Sequence, residues 1–291
     1  MRVRRRVRLL GAAAVLGLAA TVMSGLTQPP PASAATGLQI VTADSASDYT
    51  DSKGAYAFCP TGKRVIGGGG IVRNAGSNAA IRMLRPEPGS LRDAFVAAAS
   101  ETTSYNGNWS VTAIAVCADP LPGLEHVYSE SSRDSSAFKS NIATCPAGKK
   151  VIGTGGWVGN DRGRVVLDEI IPATNLQTVR AGAYEAEGGN PDVWWLGTWA
   201  VCADPMPGLT LITKTGTQST AQSKAIFADC PAGTKVHAVG GDVHGGNGQV
   251  VLNSLYPQTG LTSAMLQARV DPTGYTGLWQ TRIFAICAPE A

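Results

Sequence analysis

The chain has 291 residues, with 24 Lys+Arg, 21 Asp+Glu and six cysteines. Five arginines (Arg2, Arg4, Arg5, Arg6 and Arg8) fall in an acid-free N-terminal stretch, so residues 35–291 hold 19 basic and 21 acidic side chains, a net charge of −2. That balance argues against the clustered basic face that nucleic acid requires and against a polybasic membrane patch.

In chain order, the basic start leads into an apolar run from Leu9 to Met23 and then to Ala32-Ser33-Ala34. A basic end, a short apolar stretch and small residues at a cleavage site describe a secretory leader, expected to be cut after Ala34. The run falls short of the roughly 20 residues that a spanning helix needs, and no later stretch reaches that length. The expected product is a secreted, extracellular protein with no membrane span. An even cysteine count in an exported chain then implies disulfides rather than a metal site.

From residue 37 onward the chain repeats itself. Cys59-Pro60-Thr61-Gly62-Lys63-Arg64-Val65-Ile66-Gly67 returns as Cys145-Pro146-Ala147-Gly148-Lys149-Lys150-Val151-Ile152-Gly153, and more loosely from Cys230 to Val236. Glycines follow each time: Gly67 to Gly70, Gly155-Gly156 and Gly240-Gly241. Trp109, Trp194 and Trp279 each precede a closing cysteine, Cys117, Cys202 and Cys287, by the same spacing. The copies are 37–122, 123–207 and 208–291.

Period-two alternation around the closing cysteines predicts strands there, buried on both faces. Further strands are expected at 64–72, 80–85 and 93–101 and at their counterparts; Val165-Val166-Leu167 and Val250-Val251-Leu252 mark the middle one. The Ala94–Ala99 run has helix propensity, but its counterpart Val179–Tyr184 has the composition of a strand, and the repeat overrules the propensity. Proline second and glycine fourth in Cys-Pro-x-Gly predict a type I turn. The glycine run is expected to allow a bulge or a close approach by a neighbour. The fold class is therefore all-β: three repeated antiparallel units, each stapled by a disulfide. They stand in tandem, the favoured arrangement, or around a pseudo-threefold axis. The repeat favours pairing within copies, Cys59–Cys117, Cys145–Cys202 and Cys230–Cys287; pairing between adjacent copies also respects the symmetry.

The block Cys-Pro-x-Gly-Lys-x-Val-x-Gly-Gly-Gly, followed by Trp and Val-Cys-Ala, resembles repeats in poorly characterised secreted proteins of actinobacteria. The third copy departs from it, with His237, Ala238 and Val239 where Ile66, Gly67 and Gly68 stand. Three β repeats with Cys-Pro-x-Gly turns are more distantly similar to the vitelline membrane outer layer proteins, a resemblance that implies a β-prism.

Chemistry is sparse. Lys63 precedes its glycines and a strand follows them, the reverse of a phosphate-binding loop. The three histidines, His126, His237 and His244, recur at no shared position, which speaks against a repeated nucleophile–base pair. His237, Asp242 and His244 cluster in one copy only, and His237 replaces an isoleucine, so it is read as packed rather than as a metal ligand. Trp109, Trp194 and Trp279 share a strand face with the cysteines and are expected in the core. One acid recurs ahead of each of these tryptophans: Glu101, Glu185 and Asp271. The loops between acid and tryptophan add Tyr105, Trp195 and Tyr275. Aromatic platforms beside acids and amides suit sugar rings. These six residues are the candidate ligand-binding set; no catalytic residue, metal or cofactor is expected. The reading is a non-enzymatic protein that recognises a glycan or cell-surface polymer, with threefold repetition adding avidity. A structural or protein-interaction module, with a protein partner, is the alternative. A hydrolase comes third, and would show one cleft with perturbed acids in one copy only.

Overall fold

A computed structural model describes residues 34–290 and contains eighteen β-strands and no helix among them. The expected leader lies outside the described residues except for Ala34. The first copy carries β1 (Gln39–Asp44), β2 (Ser52–Phe58), β3 (Arg64–Arg73), β4 (Ala79–Glu87), β5 (Ala94–Glu101) and β6 (Ser110–Ala118). The second carries β7 (Glu125–Glu130), β8 (Phe138–Thr144), β9 (Lys150–Gly159), β10 (Val165–Pro172), β11 (Thr178–Glu185) and β12 (Trp195–Ala203). The third carries β13 (Thr210–Thr215), β14 (Ser223–Asp229), β15 (Thr234–His244), β16 (Val250–Pro257), β17 (Ser263–Val270) and β18 (Gln280–Pro289). The expected strands are all present, and β5 is extended as the repeat required.

No copy forms a sheet of its own. Each splits into two three-stranded halves that join halves of the other copies, giving three six-stranded sheets. The first sheet runs β1-β6-β3-β16-β17-β14, the second β2-β5-β4-β9-β12-β7, and the third β13-β18-β15-β10-β11-β8. The seams are antiparallel: β3 with β16, β4 with β9, and β10 with β15. Every copy thus gives and takes in the same way, and the chain closes cyclically. Of the two arrangements open from the sequence, this is the threefold one rather than tandem units.

The glycines make the closure possible. In β3, β9 and β15 the ladder skips Ile66, Ile152 and His237, which are bulge residues and fully buried. At these bulges the three backbones meet. A Cβ on Gly67 would lie 2.2 Å from the His237 carbonyl oxygen, and one on Gly153 would lie 2.0 Å from that of Ile66. The glycines thus permit the close approach, while the bulge residues beside them are Ile66, Ile152 and His237.

The main buried apolar cluster runs through all three sheets, with Trp109, Trp194 and Trp279 among its largest members, and a small second one joins Ala80, Val166 and Val251. The disulfides are Cys59–Cys117, Cys145–Cys202 and Cys230–Cys287, at sequence separations of 58, 57 and 57. Loops of this length imply about 4 kcal/mol per bridge in the chain-entropy account. The turn after each first cysteine differs from expectation by one residue. Lys63, Lys149 and Thr234 donate their backbone N–H to Pro60, Pro146 and Pro231. Each glycine is therefore third in its turn, at φ of +86°, +84° and +79°, the conformation that a type II turn demands and glycine supplies.

Candidate functional site

The six residues singled out by sequence lie in three separate places, and most are engaged within the protein. Glu101 accepts from the Trp109 indole N–H at 3.1 Å and from the Tyr105 backbone N–H at 3.0 Å. Glu185 accepts from the Trp194 indole at 3.0 Å. Asp271 accepts from Thr273 and from the Gly274 backbone, closing its own turn. Tyr105 and Tyr275 donate their hydroxyls to the carbonyls of Asn74 and Gly245, at 2.8 and 2.6 Å. Their rings fold onto Gly107 and Gly277, where a Cβ would meet the phenol oxygen at 2.4 and 2.3 Å. Two of the recurrent acids, Glu101 and Glu185, position tryptophans, whereas the Trp279 indole donates to the Ala221 carbonyl; the two tyrosines tie their loops down.

A lysine completes this arrangement from the opposite side. Lys53, Lys139 and Lys224 stand over the rings of Trp109, Trp194 and Trp279 at 4.9, 4.8 and 4.3 Å. The first two pair with Asp48 and Asp134. Those lysine hydrogen bonds, followed by bonds from Thr50 or Ser132, hold both aspartates well below the usual carboxylate range. The third copy has Ser219 in place of the aspartate; Lys224 donates instead to the backbone carbonyls of Thr217, Ser219 and Trp279.

Trp195 is different. It lies on the outer face of the second sheet, in a cluster whose other members the repeat pattern did not mark. Register puts Trp199 opposite both Tyr128 and Gly155, Trp157 opposite Gly197, and Trp195 opposite Gly159. These residues share one face because strand side chains alternate. The glycines leave room for rings. A Cβ on Gly159 would lie 2.2 Å from Trp195, and one on Gly197 would lie 2.8 Å from Tyr128 and 3.0 Å from Trp199. Neighbouring ring centroids run Tyr128–Trp199 at 4.4 Å, Trp199–Trp157 at 6.3 Å and Trp157–Trp195 at 5.9 Å.

Charged groups rim these rings. Arg85, from β4 across the seam, stands over Trp199 at 5.2 Å and Trp157 at 5.9 Å, and pairs with Glu87. Arg133 stands 4.2 Å over Trp195 and donates to Glu130 at 2.6 Å. Tyr128, 44% exposed, donates to the other Glu130 oxygen at 2.6 Å. Partial burial, then Glu130, pushes the phenol pKa up, while Arg133 and Tyr128 draw that of Glu130 down. The Trp195 indole N–H is buried without a partner.

Equivalent positions elsewhere carry no such cluster. Where Trp157 stands opposite Met83, the third sheet has Asp242 opposite Glu169 and the first has Ile71 opposite Ser254. Where Trp199 faces Tyr128, the others pair Phe284 with Thr213 and Ile114 with Thr42. One signal was legible: Trp157, Trp195 and Trp199 are the tryptophans that do not recur between copies. Their convergence depends on register. No family model and no curated protein matches this chain.

Proposed function

We propose that this is an exported, non-enzymatic binding protein that recognises a glycan or cell-envelope polymer through the aromatic face of the second sheet. The observation that carries the reading is the continuous run of four rings, Tyr128, Trp199, Trp157 and Trp195, in which Trp199 is only 8% exposed and the others open its flanks, with Arg85 and Arg133 standing over the rings and pairing with Glu87 and Glu130. Indole and phenol faces pack against the C–H faces of sugars while charged and amide groups bond to hydroxyls. One platform replaces three equivalent sites in this reading, because the loop aromatics Tyr105 and Tyr275 are hydrogen-bonded inward. Three disulfides suit an oxidising compartment, and no helix among the described residues is long and apolar enough to cross a membrane.

The arginines stacked on the rings favour a second reading, a protein-interaction module, since tryptophan, tyrosine and arginine dominate interface hot spots. One experiment separates the two. The purified chain is sedimented with a panel of insoluble cell-wall polymers and titrated with soluble glycans, beside a Trp157→Ala, Trp195→Ala variant and a Tyr105→Ala, Tyr275→Ala variant. Saturable binding that weakens at least about tenfold in the tryptophan variant and persists in the tyrosine variant supports the proposal. Binding that fails only in the tyrosine variant returns the site to the loops. No binding to any polymer overturns the glycan reading in favour of the protein-partner one.

A further inference from the structure

The third sheet carries another chemistry at its seam. In β10 the ladder passes from Leu167 opposite Ala183 to Glu169 opposite Gly182, leaving Asp168 as the extra residue of a bulge. A regular strand would send Asp168 and Glu169 to opposite faces; the bulge re-aims the side chains, and both line one groove of about 340 Å³. Asp242 stands opposite Glu169 across the seam and lines the same groove.

Two of these three carboxyls have cations. Arg180 Nη1 lies 2.6 Å from Glu169 Oε1, and Arg282 donates through Nε to Asp242. The third does not: Asp168 is 5% exposed and its Oδ1 has no partner. Burial, then the charges of Asp242 and Glu169, push its pKa well up, against a smaller opposing pull from Arg180. At the matching bulges of the other sheets the side chain bonds within the protein, although Arg82 Nε and Asn253 Oδ1 are themselves without a partner. Arg82 pairs with Asp161 at 3.4 Å and donates to Ser52, while Asn253 donates to the carbonyls of Gly76 and Ala79 at 2.7 and 3.0 Å. The groove thus holds three carboxyl groups against two guanidinium groups, beside the paired rings of Phe138 and Tyr184, whose centroids lie 4.4 Å apart.

We propose that this groove binds the primary ammonium group of a small organic ligand, seated between Asp168 and the Phe138–Tyr184 rings. An ammonium brings three donors for an orphaned acceptor. Its charge supplies the missing cation, and aromatic walls favour an organic cation through the ring quadrupole. A coordinated metal is disfavoured by the donor set: among the described residues no group of three or more His, Cys, Asp or Glu is placed to hold one. The site is on a different sheet from the aromatic face and does not depend on the function proposed for it.

Calorimetric titration of the purified chain with glucosamine, cadaverine, N-acetylglucosamine and calcium tests this. Saturable binding of glucosamine alone assigns the site to an amino sugar, and binding of cadaverine as well assigns it to alkyl amines; either supports the proposal when N-acetylglucosamine does not bind the Trp157→Ala, Trp195→Ala variant as tightly. Asp168→Asn is expected to weaken the amine at least about tenfold, the scale of a lost charged hydrogen bond, while melting at or above the native temperature. Trp157→Ala, Trp195→Ala is expected to retain amine binding, so failure here and failure of the polymer reading are distinguishable. The proposal is overturned if neither amine saturates, if Asp168→Asn binds as well as the native chain, if N-acetylglucosamine binds the Trp157→Ala, Trp195→Ala variant as tightly as the amines do, or if only calcium binds.

Discussion

A Gly153→Ala chain is expected to lose about 3 kcal/mol of stability or more and to melt well below the native chain. Its new Cβ would lie 2.0 Å from the Ile66 carbonyl oxygen and 2.7 Å from the Val201 side chain. The first obstacle is backbone belonging to another sheet, so no rotamer change relieves it. Overpacking in a core that can adjust costs about 1–3 kcal/mol; where neighbouring backbone must move, the expected cost is at the top of that range or beyond. Against a typical total of about 5–15 kcal/mol, a second lesion of the same kind at Gly67 would leave little margin. Gly188 is the control: it has no positive φ, and a Cβ there meets nothing within 4 Å. Gly188→Ala should melt within a degree or two of the native chain. Thermal melting of the three proteins by circular dichroism checks the prediction, and a Gly153→Ala chain that melts like Gly188→Ala would falsify the account of the closure.

His237→Ile should raise stability and flatten its dependence on pH. His237 takes the position that Ile66 and Ile152 hold in the other copies, is fully buried, and has no partner for either ring nitrogen. Burial lowers its pKa from 6.5 to about 4. With the folded value below the unfolded one, the unfolded chain binds more protons between pH 6.5 and 4. Stability from this group is therefore fully present above pH 6.5 and is lost as pH falls towards 4. Shifts of this size correspond to roughly 3 kcal/mol. Isoleucine removes both the titration and two unsatisfied polar atoms, so the variant should also gain about 2 kcal/mol at pH 7.

Other groups act in nearby ranges; burial lowers the pKa of His126, so its contribution, like that of His237, is lost as pH falls below 6.5. Asp168, whose pKa is raised, destabilises the fold progressively as pH rises above 3.8. Asp48 and Asp134, whose values are depressed, contribute stability that is lost as pH falls below 3.8. All of these groups are common to both proteins and cancel in the difference. Chemical denaturation from pH 7 to pH 4 should show the two stability curves diverging by the stated amount. Parallel curves would show that His237 is not the origin of acid sensitivity in that window.

How much of this was legible without coordinates depended on whether a feature was local or repeated. Recurrence favoured disulfide pairing within copies, which the structure shows, but left pairing between adjacent copies open, since both respect the repeat. β3 to β6 and their counterparts alternate or are continuously apolar, so their extended character was readable. The outer strands were not. In β2 the exposed positions include Tyr56 and Phe58 while Lys53, Ala55 and Ala57 are buried, inverting the usual pattern. Lys53 can be buried there because Asp48, just ahead of the strand, and the Trp109 ring, far along the chain, receive it.

The recurrent acids and tryptophans were correctly found and their partnership was not, since Glu101 and Glu185 look the same in sequence whether they face a ligand or an indole. By itself the sequence determined the three-copy, all-β, disulfide-stapled character of the chain, because those properties arise from composition, period and spacing. Only the tertiary structure decided that each copy shares its strands with both others, because the choice rests on three glycine-bearing backbones meeting at one place. It also decided the chemistry of the outer faces. Register across seams between copies brought Arg85 to the Trp157 and Trp199 rings, and a one-residue bulge turned Asp168 into the groove with Asp242.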